Sequence, residues 1–376
     1  MRARVRHNLG WLRQHQGRYE ESADILADAL ARKQAHLGPV HPDLGSTLQA
    51  LATSEMALGR LSLAIERLQM ALAQEIQFVG EPSDGAATAR NELGLALMDA
   101  GRFDESDEQF RIGLSDRQVM TPEGSMEMAH LLNNRGWLFE AREDFRAAQA
   151  SFEQSVRMRE ALGLTERSIA RSRSNLARIL VKRGRVDEAR ALADWIGEAL
   201  DRINGDVHVE RGNWRMLHAE MALARNDPAG AQGWLAGVEG DNRGDGFSPR
   251  YWAIRLELAR RAGDEDAQMH ALEKQAGAML KTMAVEHPSV ALTVLRHAAL
   301  SGACAMPGVA LDVVAARRIV DANLVAEAPG RRWLGARPAS GCGQAEAVNR
   351  RRGSARLIGH VPGQRRALSG GLFASH

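Results

Sequence analysis

The sequence predicts an all-α solenoid, a stack of antiparallel helix pairs followed by an irregular C-terminal tail. Three observations carry that prediction. A pivot residue recurs as Gly17, Gly59, Gly101, Glu143, Gly184 and Asn226, so the steps are 42, 42, 42, 41 and 42 residues. A repeat array produces such regularity and an active site does not. Small residues stand seven positions before each pivot (Gly10, Ala52, Gly94, Gly136, Ala177, Ala219) and five after it (Ser22, Ala64, Ser106, Ala148, Ala189, Ala231). Bulk returns two and nine positions after it, as in Tyr19 and Leu26, Phe103 and Phe110, or Phe145 and Phe152. The small set lets two backbones approach and the large set fills the space between pairs. Each unit therefore reads as a helix hairpin with a tight turn at the pivot, where glycine takes a positive φ without strain.

The elements follow in chain order. Repeat one is built on residues 8–29 and stops at Leu37 and Gly38, after which Pro39 and His41-Pro42 keep the chain from continuing as helix. Repeat two is expected to start at Ser46 as its N-cap, pass through Gly59 and end at Phe78-Val79-Gly80. Glu81-Pro82-Ser83-Asp84 and Thr121-Pro122-Glu123-Gly124 punctuate the entries to repeats three and four. Second helices of about 17 residues are expected, roughly 25 Å long at about 1.5 Å per residue. Repeat four carries Glu143 where glycine is wanted, which predicts a strained or reshaped turn. Repeat five restores Gly184, and repeat six uses Asn226, the next most tolerant residue, with Pro228 at a helix start where its missing N–H matters least. Residues 1–240 are thus read as six helix pairs, 241–327 as one or two degenerate pairs about Gly263 and Gly302, and 328–376 as a disordered tail.

Composition narrows the function. The segment 329–376 holds nine Arg, no Lys and a single acidic residue, Glu346, so it carries about +8, while the rest of the chain carries about −6. Glycine and charge predict disorder there, or a terminus read from an altered frame. A nucleic-acid arm would need aromatic platforms beside the arginines, and Trp333 stands alone, so nucleic acid is not the expected partner. Cys304 and Cys342 are too few for a disulfide framework. No apolar run approaches the roughly 18 residues a membrane span requires, and MRARVRHNLGW shows no signal-peptide core, so the expected location is the cytoplasm, with no membrane partner.

Residues 244–247, GDGF, follow a helical region and precede Ser248-Pro249, which is not the strand, turn and helix that a nucleotide loop needs. His7, Trp11 and His15 share a helix face, but the two imidazoles are about 12 Å apart along the axis, too far for a single metal ion. Cys342 has no base nearby, and Asp264-Glu265-Asp266 suits a helix N-terminus. No enzyme activity, cofactor or metal is expected.

The order of small residue, Gly, Tyr, small residue, Phe and small residue resembles the tetratricopeptide repeat. The 42-residue period, with junctions such as LGPVHPDLGSTLQALA at 37–52, looks like the kinesin-light-chain type. The likeness covers about residues 4–240 and extends weakly toward 320. What it implies is a right-handed α-solenoid acting as a protein-interaction scaffold. Such repeats also occur appended to bacterial serine/threonine kinases, and no polar capping unit precedes Arg2, Arg4 and Arg6. The alternative expectation is therefore the regulatory or docking arm, or a fragment, of a larger bacterial signalling protein; the chain itself has no Gly-rich loop, HRD or DFG.

In repeats of this family the first helix lines the concave side, with its exposed stripe ten, six, three and two positions before the pivot. Those positions yield His7, Gln49, Asn91, Asn133 and Ser174, then Trp11, Thr53, Leu95, Trp137 and Arg178. Of these, Gln49, Thr53, Asn91, Asn133, Trp137, Ser174 and Arg178 are the expected peptide-binding groove. Amides both donate to and accept from an extended backbone, and the tryptophans would anchor apolar side chains. The competing reading is structural: Asn8, Asn134 and Asn175, one position on, would bridge neighbouring repeats, and the tryptophans would fill space between them. The expected partner is a protein or peptide of unspecified identity.

Overall fold

A computed structural model describes residues 2–240 and 247–324 of the chain. The basic tail expected at 328–376 lies outside the described residues. Within them are sixteen α-helices, one 3-10 turn and no β-strand beyond an isolated bridge between Ala305 and Asp312. The helices are α1 (Arg2–His15), α2 (Tyr19–Leu37), α3 (Gly45–Ala57), α4 (Leu61–Phe78), α5 (Asp84–Asp99), α6 (Phe103–Met120), α7 (Met126–Ala141) and α8 (Phe145–Ala161). They continue as α9 (Glu166–Lys182), α10 (Val186–Arg202), α11 (His208–Ala224), α12 (Pro228–Gly240), α13 (Pro249–Ala262), α14 (Glu265–Met279), α15 (Pro288–Ser301) and α16 (Val313–Asn323). Consecutive helices pack as hairpins, and each hairpin stacks on the next.

The pivots explain the hairpins. Gly17, Gly59, Gly101 and Gly184 take φ of 72°, 73°, 74° and 74°. At Gly101 its N–H donates to Met98 O (2.9 Å) and the N–H of Arg102 to Leu97 O (2.8 Å), closing the last carbonyls of α5. Repeat four keeps the same turn without glycine: Glu143 takes φ 66°, its N–H donates to Glu140 O (3.0 Å) and Asp144 N–H to Phe139 O (2.8 Å). Asn226 does likewise at φ 59°. The turn at Glu143 is strained but not reshaped, since the two hairpin helices and both hydrogen bonds hold the backbone in a conformation that costs a residue with a Cβ roughly 1–2 kcal/mol.

The small and large sets meet as pairs. A Cβ on Gly10 would lie 2.5 Å from Leu26, one on Gly94 2.6 Å from the Phe110 ring, and one on Gly136 2.5 Å from the Phe152 ring. The residue seven before the pivot is therefore small because the residue nine after it rests on its backbone. In repeats one and three the Ser five after the pivot adds a bond to that same backbone, Ser22 Oγ to Gly10 O (2.8 Å) and Ser106 Oγ to Gly94 O (2.7 Å). Leu26, Leu68, Phe110, Phe152, Ala193 and Leu235 are all fully buried.

Helix starts agree with the punctuation except at repeat two. Ser83, Ser125 and Thr165 accept from backbone N–H groups as N-caps of α5, α7 and α9. Ser46 does not: a 3-10 turn, Pro42–Leu44, runs directly into α3, and His41 Nδ1 accepts from Asp43 N–H (3.1 Å) in its place. Pro42 presets the first turn, so the helical conformation begins five residues earlier than the Ser46 cap would allow.

Beyond α12 the stack goes on. Tyr251, Ile254 and Leu258 of α13 pack on Met216, Ala219 and Leu235, and Arg250 pairs with Glu220 at 2.8 Å. The curvature brings the connection between α14 and α15 back to the end of α3, where Ala284 N–H donates to Ala57 O at 3.0 Å.

Candidate functional site

The first helices α5, α7 and α9 are tied one to the next by side-chain amides. Asn134 Nδ2 donates to Asn91 Oδ1 (2.8 Å), and Asn175 Nδ2 donates to Asn133 Oδ1 (3.0 Å). The residue nine before one pivot thus donates to the residue ten before the previous pivot. Each such amide replaces solvent with a fixed partner and so sets the rotation of one hairpin on the next. Asn133 is buried, at 8% of its free surface, while Asn91 is half-buried.

The other predicted groove residues sit along the same helices with different company. Thr53 is exposed and its hydroxyl donates to Gln49 O (3.1 Å) on its own helix; Ser174 does the same to Ala170 O (2.9 Å). Trp137 is 39% exposed. Arg178 Nη2 donates to Glu140 Oε2 (2.5 Å) and Lys182 Nζ to Glu140 Oε1 (2.8 Å). Burial works to raise the Glu140 carboxyl, but the two cations outweigh it and the group ends below the usual carboxylate range. Gln49 lines a cavity of about 730 Å³ together with His7, Asn8, Lys33 and Glu75. His7 Nδ1 lies 3.2 Å from Thr47 Oγ1, a link from the first repeat to the second. Trp11 is 53% exposed and stands edge-on to His15 at 3.9 Å. Among the described residues no group of three or more His, Cys, Asp or Glu side chains is placed to hold a metal ion.

Three carboxylates on this face were not in the predicted row. Glu140 and Asp99 occupy the stripe three and two before their pivots, so position alone could have found them. Asp99 is open to solvent at its own surface yet surrounded by protein, and desolvation pushes its carboxyl up to about 6. Glu92 is the exception within the amide ladder. It stands where repeats four and five have Asn134 and Asn175, and its Oε2 is buried with no hydrogen-bond partner. Burial pushes its carboxyl up to about 7.

That shift has a consequence for stability. The folded chain holds the Glu92 proton more tightly than the unfolded chain, whose pKa is near 4.5. The contribution is therefore fully present below the unfolded value and is lost as pH rises through about 7. Glu92→Gln is expected to raise stability at pH 8 by on the order of 1–3 kcal/mol, and by far less at pH 5. Urea midpoints of the two proteins across that pH range check it; an equal gain at both ends would mean that ionisation is not the cause.

Family models for the tetratricopeptide repeat match residues 1–77 in one case and 50–112 and 133–196 in another. No curated protein matches the sequence. Solved structures with this fold include a tetratricopeptide repeat protein from Parabacteroides merdae ATCC 43184, at 15% identity and TM-score 0.52 over 73% of this chain and 93% of that one. A Rap protein complexed with Competence and Sporulation Factor matches at 13% identity and TM-score 0.54 over 74% of each chain. Kinesin-light-chain-type TPR-like repeats from Podosopora anserina match at 20% identity and TM-score 0.49 over 55% of this chain and 98% of that one. Such repeats typically form scaffolds for protein–protein interaction, and no catalytic family is indicated. No helix among the described residues is long and apolar enough to cross a membrane. The pivots, the small-residue pairs and the stacked hairpins fall where these models match, and residues 1–112 and 133–196 are tetratricopeptide repeats.

Proposed function

We propose that this chain is a non-catalytic cytoplasmic scaffold that holds an extended segment of a partner protein along its inner face. The contact row is Gln49, Thr53, Asn91, Asn133, Trp137, Ser174 and Arg178. The amide ladder carries the reading. Its bonds use the oxygens of Asn91 and Asn133, and among the described residues neither Nδ2 group donates within the protein, so each remains a donor for a peptide carbonyl. Asn91 and Asn133 belong to successive repeats and each accepts from the equivalent asparagine of the next repeat, which supports a common orientation. Trp137, half in the trough, supplies an apolar anchor of the kind that dominates interfaces. The Rap protein seen with Competence and Sporulation Factor is a precedent for this fold accepting a second molecule.

The test is a pull-down with the full chain and with three variants. Asn91→Ala with Asn133→Ala, and separately Trp137→Ala, are expected to reduce the retained partner about tenfold or more. Asn134→Ala breaks a bond of the same ladder while sparing the predicted row, and is expected to retain the partner. Equal retention by all variants removes the groove assignment. The same trough would serve a docking arm of a larger bacterial signalling protein, and a serine/threonine kinase reading frame adjoining this one would favour that version.

A further inference from the structure

We propose that the solenoid is latched into a closed circuit, with the connection between α14 and α15 seated on the turn between α3 and α4, and that this seam must part to admit a partner from the side. Three observations place the seam. Ala284 N–H donates to Ala57 O at 3.0 Å, a backbone bond between segments more than two hundred residues apart. Ala284 packs on the apolar cluster that holds Leu44, Leu48 and Leu58. The third concerns Gly59. A Cβ there would lie 2.7 Å from His287 Cα and 2.9 Å from Glu286 O, so backbone of one end rests directly on backbone of the other.

The other pivots show that this contact is specific. Gly17 and Gly184 have the same positive φ, 72° and 74°, and open space around the missing Cβ. Glu143 and Asn226 show that the turn itself accepts a side chain. Gly59 alone among Gly17, Gly59 and Gly184 has a second reason to be glycine, and that reason is the seam.

The closure is slight for what it joins. Beside the Ala284 bond lies a cavity of about 380 Å³, lined by Glu20, Arg60, Ser62, Glu286, Ile319 and Asn323. Arg60 is held to Glu20 of its own end by paired bonds of 2.8 Å, and not to Glu286. Among the described residues the junction consists of that backbone bond, the packing of one small apolar residue and the contact at Gly59 beside a cavity, and it opens at lower free energy than the hairpins unfold. While it is shut, the packed path from α3 to α15 and the seam together surround the inner face. The inference of gating rests on the proposed binding at that face; the seam does not.

Hydrogen exchange on the full chain tests the seam directly. In the unaltered protein the Ala284 amide is expected to exchange at least about tenfold slower than an unprotected amide, and at least about tenfold faster than amides in the middle of α8. Gly59→Ala is expected to raise exchange at residues 281–287 about tenfold and to lengthen the maximum dimension in small-angle scattering, with helical circular dichroism retained. Gly17→Ala and Gly184→Ala introduce the same backbone strain and are expected to do neither. An unprotected Ala284 amide in the unaltered protein overturns the proposal whether or not Gly59→Ala folds. So does a Gly59→Ala protein indistinguishable from the two controls. If the seam opens as described but Trp137→Ala retains partner fully, the groove reading fails and the latch stands.

Discussion

Gly94→Leu is expected to destabilise the protein by about 3 kcal/mol, the upper end of what overpacking a closed core does. Even the Cβ would stand 2.6, 2.8 and 2.9 Å from three atoms of the Phe110 ring, and that ring is fully buried with no space to retreat into. The remainder of the leucine would push α5 and α6 apart and break the Ser106 bond to the Gly94 carbonyl. A fall in the urea midpoint measures the loss. Repeat two shows how the same joint is built with a Cβ present, by pairing Ala52 with the smaller Leu68. The double change Gly94→Ala with Phe110→Leu should therefore lie well above Gly94→Leu and above the sum of its own two single changes. A double variant no better than that sum would show that the two positions do not pack as a pair.

Phe152→Ala has a comparable expected effect by the opposite route, about 3–5 kcal/mol from lost burial and the cavity left behind. Phe152 is fully buried on the Gly136 backbone, in a cluster that reaches Leu176 and Leu180 of the next repeat and extends to Leu217 and Met221 of the one after. A stack of hairpins transmits such damage mainly to neighbours. Hydrogen exchange should rise most in α7, α8 and α9, and least in α1 to α4. A loss below about 1 kcal/mol, or a rise spread evenly over the chain, would contradict the packing described here.

Much of this was legible because the relevant contacts are local and repeat. Gly94 and Phe110 are sixteen residues apart, on the two arms of one hairpin, so the same spacing recurs wherever the hairpin does. The turn at Glu143 kept its shape, since two hydrogen bonds fixed by the arms outweigh the preference of a single residue. Ser46 failed as a cap because Pro42 starts the helical conformation upstream, a preference that one Ser cannot override. The candidate groove was legible only as positions. Asn91 and Asn133 fall on the expected row, but their partners are Asn134 and Asn175, and Arg178 reaches back to Glu140 of the preceding repeat.

The sequence by itself determined the hairpin, its period and which residue rests on which inside it, since those follow from backbone geometry and side-chain volume at fixed spacing. The tertiary structure decided how far each hairpin turns relative to the last, and hence that Glu92 Oε2 is buried without a hydrogen-bond partner, that Arg178 is ion-paired, and that Gly59 receives the backbone of His287. The physical reason is accumulation. A small rotation at each stacking interface is set by many side chains at once and leaves no signature in any single repeat, yet summed along the stack it brings the α14–α15 connection onto the turn between α3 and α4.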